Sequence, residues 1–215
     1  MKKSIIALIC MIVTLVFIIV ALVTPWYGGS GELKVGNQKA EVSYSLSLTE
    51  GVAKSEGGGM KDSNKIDYED ETSEFKSVFD NTMYITIIAL IMSIIAVVFI
   101  LLLTFSSGNI KMFKMLGGIF GILTIIFTLI APIYFMTTLP DALSSDSSQF
   151  GGGDIAFWDE VNIFGMKISF GPSIAWYLMI VSFVTALIAS IIVFMEKPGI
   201  PMPSNPMQQQ PRPPQ

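Results

Sequence analysis

This sequence of 215 residues contains no histidine, which excludes the catalytic mechanisms that depend on an imidazole side chain. Nucleophile–histidine pairs and metal sites with imidazole ligands are both excluded. No other catalytic or metal-binding motif is present. We therefore expect no catalytic residue, no bound metal, no cofactor and no enzymatic activity.

Cysteine is nearly absent as well. The single Cys10 cannot form an intramolecular disulfide, so no covalent bridge holds the loops together. Cys10 lies within an apolar stretch near one end of the chain. Palmitoylation near the inner leaflet is one alternative there, but we favour a small apolar packing residue.

Charge is missing from four long apolar stretches. Twenty helical residues extend about 30 Å, the thickness of the hydrocarbon core of a membrane. Strands of a membrane barrel are shorter, so helices are the only form that satisfies the backbone in lipid over these lengths. The sequence therefore predicts four membrane-spanning helices, over residues 5–24, 82–105, 115–139 and 173–195.

The first stretch has a competing interpretation as a signal peptide, since Lys2 and Lys3 precede it. A signal peptide has an apolar run of about 7–15 residues and a small-residue cleavage site. The run here is longer and ends in Thr24, Pro25 and Trp26. We favour an uncleaved anchor.

The segments between the stretches differ in charge. The terminus 1–4, the loop 106–114 and the tail 196–215 hold six basic residues and one acidic residue. The loops 25–81 and 140–172 hold the other 16 acidic residues. Because short basic segments stay in the cytoplasm, we expect both termini to be cytoplasmic and both acidic loops to lie outside, with the protein in the cell membrane.

Strand patterns occur in both outer loops. Residues 31–48 alternate between apolar and polar around Gly36, Asn37 and Gln38, which predicts a β-hairpin. Residues 57–59 are three glycines, which predict a flexible stretch. Residues 161–170 alternate as one strand after a Ser- and Gly-rich link. We expect this strand to pair with the hairpin in a small antiparallel sheet, with one face on the helix ends.

The first loop continues into an acidic run, 67–74. Its carboxylates could gather Ca²⁺, which prefers clustered oxygen ligands, but the spacing matches no EF-hand loop and we favour a solvated segment. We expect this run to lead a short helix or loop back to the membrane, with one apolar face. The carboxylates in question are Asp67, Glu69, Asp70 and Glu71, and the apolar residues are Phe75, Val78 and Phe79.

Small and aromatic residues indicate how the spans pack. Gly117 and Gly121 are four residues apart on the third span, which allows close helix approach. We favour packing within the bundle over contact with a second copy. Pro132 in the same span predicts a kink. Aromatic residues at span ends are predicted interfacial anchors, chiefly Trp26, Tyr27, Trp176 and Tyr177.

The C-terminal tail contains seven prolines. It predicts an extended, disordered cytoplasmic segment. Recognition by a proline-binding partner is one alternative, and a passive spacer is the interpretation we favour.

Taken as a whole pattern, the chain resembles the claudin, peripheral-myelin-protein and SUR7-like superfamily of four-span membrane proteins. The likeness includes Pro25-Trp26 after the first span, and Phe170 to Ser173 with Trp176 entering the fourth. The Trp-Leu-Trp-like motif and paired cysteines of that family's first loop are not present. The resemblance implies an all-α membrane fold: a four-transmembrane-helix bundle with a small extracellular antiparallel sheet, whose second loop supplies one strand.

Three classes of function stay open. We favour a structural or interaction role through the outer loops. The alternatives are an accessory subunit of a larger membrane complex and a channel or transporter component. The second is less favoured, because the spans hold no Asp, Glu, Lys or Arg. The expected partners are the lipid bilayer and other membrane or cell-surface proteins, or a second copy of this chain, and not nucleic acid.

Overall fold

The computed structural model describes residues 3–35, 38–57, 60–68, 73–106, 109–147, 156–163 and 166–196. Within them, four helices are long and apolar enough to cross a membrane. They are α1 (Lys3–Val23), α2 (Ser73–Phe105), α3 (Ile110–Ser147) and α4 (Ile174–Met195).

The helices form a bundle in which each helix packs on the next, and α4 also packs on α1. The strands follow α1 and precede α4, and they lie between α1 and α2 and between α3 and α4. One end of the bundle therefore carries all the described strands, and we call it the sheet end. The other, the distal end, carries the beginning of α1, the end of α4 and the α2–α3 connection.

The buried and exposed faces of the helices differ in composition, as expected for membrane spans. Buried positions of the spans include many alanines and hydroxyl residues, which let helices approach closely. Exposed positions are dominated by isoleucine and valine, such as Ile9, Ile91, Ile126 and Val184. The helices thus have an apolar outer surface and pack against one another through their smaller residues.

The strands form one six-stranded antiparallel sheet in the order β4-β3-β2-β1-β6-β5. The first connecting segment supplies four strands and the second supplies two. They are β1 (Tyr27–Val35), β2 (Gln38–Leu46), β3 (Gly51–Gly57), β4 (Met60–Ile66), β5 (Asp159–Ile163) and β6 (Met166–Pro172).

The sheet contains the predicted hairpin and more. β1 and β2 pair from Tyr27↔Leu46 to Val35↔Gln38, and β6 pairs with β1, so the expected contact between the two loops is present. The second loop, however, has two strands and not one, because β5 and β6 form a hairpin of their own. Of the predicted flexible glycine stretch, Gly57 is instead the last residue of β3 and pairs with Met60 at the start of β4, and residues 58–59 lie outside the described residues.

Two helices extend beyond the apolar stretches into segments predicted as loops. α2 begins at Ser73 and α3 continues to Ser147, both at the sheet end. The added turns of α2 are amphipathic, and Phe75, Val78 and Phe79 are buried together as expected. Burial of this apolar face accounts for the helical turns of α2 that precede the uncharged stretch. Residues 69–72, half of the acidic run, and residues 197–215 of the tail lie outside the described residues.

Candidate interaction surface on the sheet

The sheet has two chemically different faces. Residues opposite one another in antiparallel strands point to the same side, and the side alternates along each strand. Tyr27 is opposite Leu46 and Pro172, Gly29 is opposite Tyr44 and Phe170, and Gly31 is opposite Val42 and Ile168. These residues together form the apolar face.

Alternate residues form the polar face. Four lysine–glutamate pairs lie at the sheet surface, and all of their side chains are largely exposed. Exposed pairs contribute little to stability, but they keep this face in water. The pairs are Lys39–Glu32 at 3.8 Å, Lys61–Glu56 at 2.6 Å, Lys65–Glu50 at 2.9 Å and Lys167–Glu160 at 2.6 Å.

The base of the sheet is joined to the bundle at Trp26. The Trp26 indole Nε1 donates to the Ala21 carbonyl of α1 at 2.8 Å. Its backbone N–H donates to the Leu46 carbonyl at 2.7 Å, and its carbonyl accepts from Ser173 N–H at 2.9 Å. Trp26 therefore ties the end of α1 to β2 and to the residue that precedes α4.

Aromatic rings fill the space between the sheet and the helices. Phe135 of α3 is the centre, with ring centroids 5.3 Å from Trp26, 5.4 Å from Phe79 and 6.1 Å from Phe157. Tyr27 of β1 lies 5.5 Å from Phe157. Aromatic pairs at these separations contribute about 0.5–1.5 kcal/mol each beyond simple burial. The sheet is thus fixed on the bundle by packing, without a disulfide.

Farther from the bundle, the apolar face is only partly covered. Val42, Tyr44, Ile168 and Phe170 are all partly exposed, and we call these four residues the apolar patch. The Tyr44 and Phe170 rings lie 5.6 Å apart. Tyr44 also lies over Gly29: a Cβ there would come within 2.6 Å of Tyr44 Cε1. The patch therefore has a fixed shape.

Three tyrosines near this face have raised pKa values. Burial, with a smaller contribution from Asp159, raises the pKa of Tyr27 to about 12. Burial also raises the pKa of Tyr44 and of Tyr68. All three phenols are therefore neutral at physiological pH, and they offer apolar rings with a polar tip in place of acid–base chemistry.

The two buried hydroxyls at the base differ in their hydrogen bonds. Tyr68 Oη donates to the Ser47 carbonyl at 2.7 Å. Tyr27 Oη is buried without a hydrogen-bond partner among the described residues. An unpaired buried hydroxyl costs about 1–3 kcal/mol, whereas a made bond contributes about 1 kcal/mol. The two residues are therefore a matched pair for substitution by phenylalanine.

We expect Tyr27→Phe to leave the free energy of unfolding unchanged or to raise it by about 1–3 kcal/mol at pH 7, because it removes an unpaired buried polar group. We expect Tyr68→Phe to lower it by about 1 kcal/mol. In the wild type, burial raises the folded pKa of Tyr27 to about 12 by disfavouring the phenolate, so the ionisation of this residue does not affect stability below the unfolded pKa of 10 and lowers stability as pH rises from 10 to 12. Unfolding in a denaturing detergent at pH 7 compares the two variants, and unfolding of the wild type at pH 11 measures its pH-dependent loss of stability. If Tyr27→Phe lost as much stability as Tyr68→Phe, the Tyr27 hydroxyl would not be an unpaired buried group.

The predicted anchors are divided between the core and the surface. Trp26 and Tyr27 are 0% and 1% exposed, so their prediction as interfacial anchors is wrong: both rings face protein and not lipid. Trp176 is partly buried and its Nε1 donates to the Pro132 carbonyl at 3.0 Å. Tyr177 is half-exposed, and its anchoring role stays a prediction.

The two glycines predicted to pack helices lie against helices of the same chain. A Cβ on Gly117 would meet Ile100 Cγ1 of α2 at 3.3 Å, and one on Gly121 would meet Ser190 Oγ of α4 at 2.5 Å. The adjacent Gly118 is equally close to Phe194. These glycines let α3 approach two neighbours at once. Gly118 was not predicted, since it has no small residue four positions away.

No metal site is found in the part of the chain that the structure describes, where no group of three His, Cys, Asp or Glu side chains could hold an ion. Of the acidic cluster considered for Ca²⁺, only Asp67 is among the described residues. Comparison of the chain with protein-family models and with curated proteins finds no match to either.

Proposed function

We propose that this chain is a non-enzymatic integral membrane protein that binds another membrane or cell-surface protein, or a second copy of itself, through the apolar patch of its outer sheet. The observation that carries the proposal is the partly uncovered apolar face on a rigid sheet. A protein interface needs a central apolar group with a polar rim. On the same face, the patch is bordered by exposed polar residues of β3 and β4, Ser55, Asp62 and Asn64, which supply part of such a rim.

The rigidity of the sheet supports the same proposal. Its base is joined to α1 and α4 by backbone hydrogen bonds and to α3 by aromatic packing. A preformed surface loses less conformational entropy when it binds. Tyr44 and Phe170, two aromatic residues at the centre of the patch, are of the type that often dominates binding energy.

The hydroxyl groups inside the bundle favour a packing role over a conduit. Thr82, Thr86, Thr124 and Thr128 are buried, and each donates to the carbonyl four residues earlier in its own helix. Between helices, Thr14 Oγ1 and Thr185 Oγ1 lie 2.8 Å apart and share a hydrogen bond. The protons of these hydroxyls are thus bound within the bundle, which is the usual role of threonine in packed membrane helices.

The proposal places the sheet outside the cell and both termini in the cytoplasm. Support comes from the charge distribution, since the distal end carries Lys3, Lys111 and Lys114 and the short basic segments of a membrane protein stay inside. The claudin-like relationship is part of the proposal, supported by the four-helix bundle with an antiparallel sheet at one end.

The experiment is crosslinking in native membranes, with the tagged full chain and two lysine variants. Val42→Lys introduces a charge into the apolar patch, and the matched Ser43→Lys introduces the same charge next to it on the polar face. A charge buried without a partner in an interface costs about 2–5 kcal/mol. We therefore expect Val42→Lys to reduce the crosslinked product at least tenfold and Ser43→Lys to leave it nearly unchanged.

The identity of the product separates the alternatives. Copies of this chain alone would support a self-associating structural protein, and one stoichiometric foreign membrane protein would support the accessory-subunit alternative. Equal loss in both variants, or a wild type without a specific product, would overturn the patch as the interaction surface.

A further inference from the structure

A groove lies at the distal end of the bundle, between the beginning of α3 and the end of α4. Its volume is about 270 Å³, and its lining residues are Ile110, Lys111, Lys114, Met115 and Phe194. Nothing in the proposed function uses this groove, which is at the opposite end from the sheet.

The apolar part of the groove faces sideways, away from the bundle. Met115 is 57% exposed and Phe194 is 49% exposed. The Phe194 ring packs over Gly118, where a Cβ would come within 2.5 Å of Cζ. Met115 is also the first residue of the uncharged stretch of α3. The groove therefore lies where the hydrocarbon of a membrane begins, and it opens towards lipid.

Lys111 lies one turn before Met115, nearer the aqueous phase, and Lys114 directly precedes Met115. Lys114 Nζ donates to the Glu196 carbonyl at 2.6 Å, which fixes this ammonium at the end of α4. An ammonium has three donors, so Lys114 keeps two for a ligand. Lys111 is exposed, and within the described residues neither lysine forms an ion pair, including with the Glu196 carboxylate.

We propose that this groove binds an anionic phospholipid, with its phosphate on Lys111 and Lys114 and the first part of an acyl chain along Met115 and Phe194. The argument is charge complementarity at the correct depth: two cations above an apolar channel match a phosphate above a hydrocarbon chain. The volume is slightly below the range of about 300–1,000 Å³ for sites that enclose a small molecule. The groove therefore holds one segment of the lipid, while the remainder stays in the bilayer.

The test is native mass spectrometry of the full chain, reconstituted in vesicles of equal phosphatidylglycerol and phosphatidylcholine with identical acyl chains. We expect the wild type to retain one phosphatidylglycerol in preference to phosphatidylcholine. A lysine near the membrane surface contributes about a fivefold preference for anionic lipid. Lys111→Gln should therefore reduce the preference about fivefold, and the matched Lys3→Gln, an exposed lysine at the same end, should leave it unchanged.

Folding is checked independently, because Trp26, Trp158 and Trp176 are all at the sheet end and their fluorescence reports the fold away from the groove. Equal retention of the two lipids by the wild type would overturn the proposal. Equal losses in Lys3→Gln and Lys111→Gln would also overturn it, since they would indicate a diffuse charge effect. A shortened chain that ends at Glu196 lacks the tail. If only this chain preferred phosphatidylglycerol, the tail and not lipid would occupy the groove of the full chain, and the proposal would be overturned.

Discussion

Replacing Trp26 with alanine should lower the free energy of unfolding by about 3–5 kcal/mol, the usual cost of removing a large buried aromatic side chain. The Trp26 side chain is fully buried and contacts Phe135. The substitution also leaves the Ala21 carbonyl without the indole N–H that it accepts from. Circular dichroism during unfolding in a denaturing detergent measures the loss.

The matched control is Trp158→Ala. Trp158 is 53% exposed and is also part of the aromatic group at the sheet end, with its ring 4.9 Å from Phe157. Because most of its surface already meets solvent, we expect its removal to cost roughly 1 kcal/mol or less. If the two variants lost the same stability, the junction at Trp26 would not be what holds the sheet on the bundle.

The expected loss at Trp26 is large because three parts of the chain meet there. Helix α1 ends at Val23, shortly before Trp26. The Trp26 N–H donates to Leu46 of β2, and the Trp26 carbonyl accepts from Ser173, which precedes α4. These contacts are distant in sequence, and no disulfide reinforces them, since the single Cys10 is in α1. The proposed function depends on this junction, because a sheet that moved freely could not present a surface of fixed shape.

The helices were predictable from the sequence to the extent that hydrophobicity alone defines them. All four apolar stretches are helical, because a long uncharged run has no other way to satisfy its backbone in lipid. The extra turns of α2 and α3 were not predicted as helix, since they carry charges such as Glu74 and Asp141. In α2, Phe75 and Phe79 pack on Tyr68, and Phe79 also packs on Phe135. In α3, Ala142 is buried in the same cluster. This packing is a tertiary effect that hydropathy does not record.

The strands show the same limit. β1, β2 and β6 have the alternation of a sheet with one buried face, and that alternation indicated them. β4 reads Met-Lys-Asp-Ser-Asn-Lys-Ile, which is polar at five consecutive positions and gives no signal of period two. It is a strand because β3 offers it a full ladder of backbone partners, from Gly51↔Ile66 to Gly57↔Met60.

The candidate surface was partly predictable. Val42, Tyr44, Ile168 and Phe170 all lie in the two segments that were predicted as strands, but their meeting in one patch depends on the pairing of β1 with both β2 and β6. Trp26 and Tyr27 were misassigned because an aromatic residue at the end of a span suits a lipid interface and a protein core equally. Only the position of α3, through Phe135, decides between the two.

Gly29→Val should disrupt the apolar patch with little change in the bundle. A Cβ at Gly29 would lie 2.6 Å from Tyr44 Cε1 and 2.8 Å from the Ser169 carbonyl oxygen. The Tyr44 ring could move aside only by losing its contact with Phe170, and the Ser169 oxygen belongs to the backbone of β6. Overpacking of this kind costs about 1–3 kcal/mol. We therefore expect amide hydrogens of β6 to exchange roughly 10- to 100-fold faster, with α1–α4 unaffected.

The matched control is Ser30→Val, one residue farther along β1. Ser30 is exposed on the polar face and pairs with Ser43 and Ser169. Valine favours strands over serine, so exchange in β6 should be unchanged or slower. Hydrogen exchange followed by mass spectrometry distinguishes the two variants peptide by peptide. Wild-type exchange in Gly29→Val would mean that Tyr44 does not rest on β1, and the patch would then lack the fixed shape on which the proposed interaction depends.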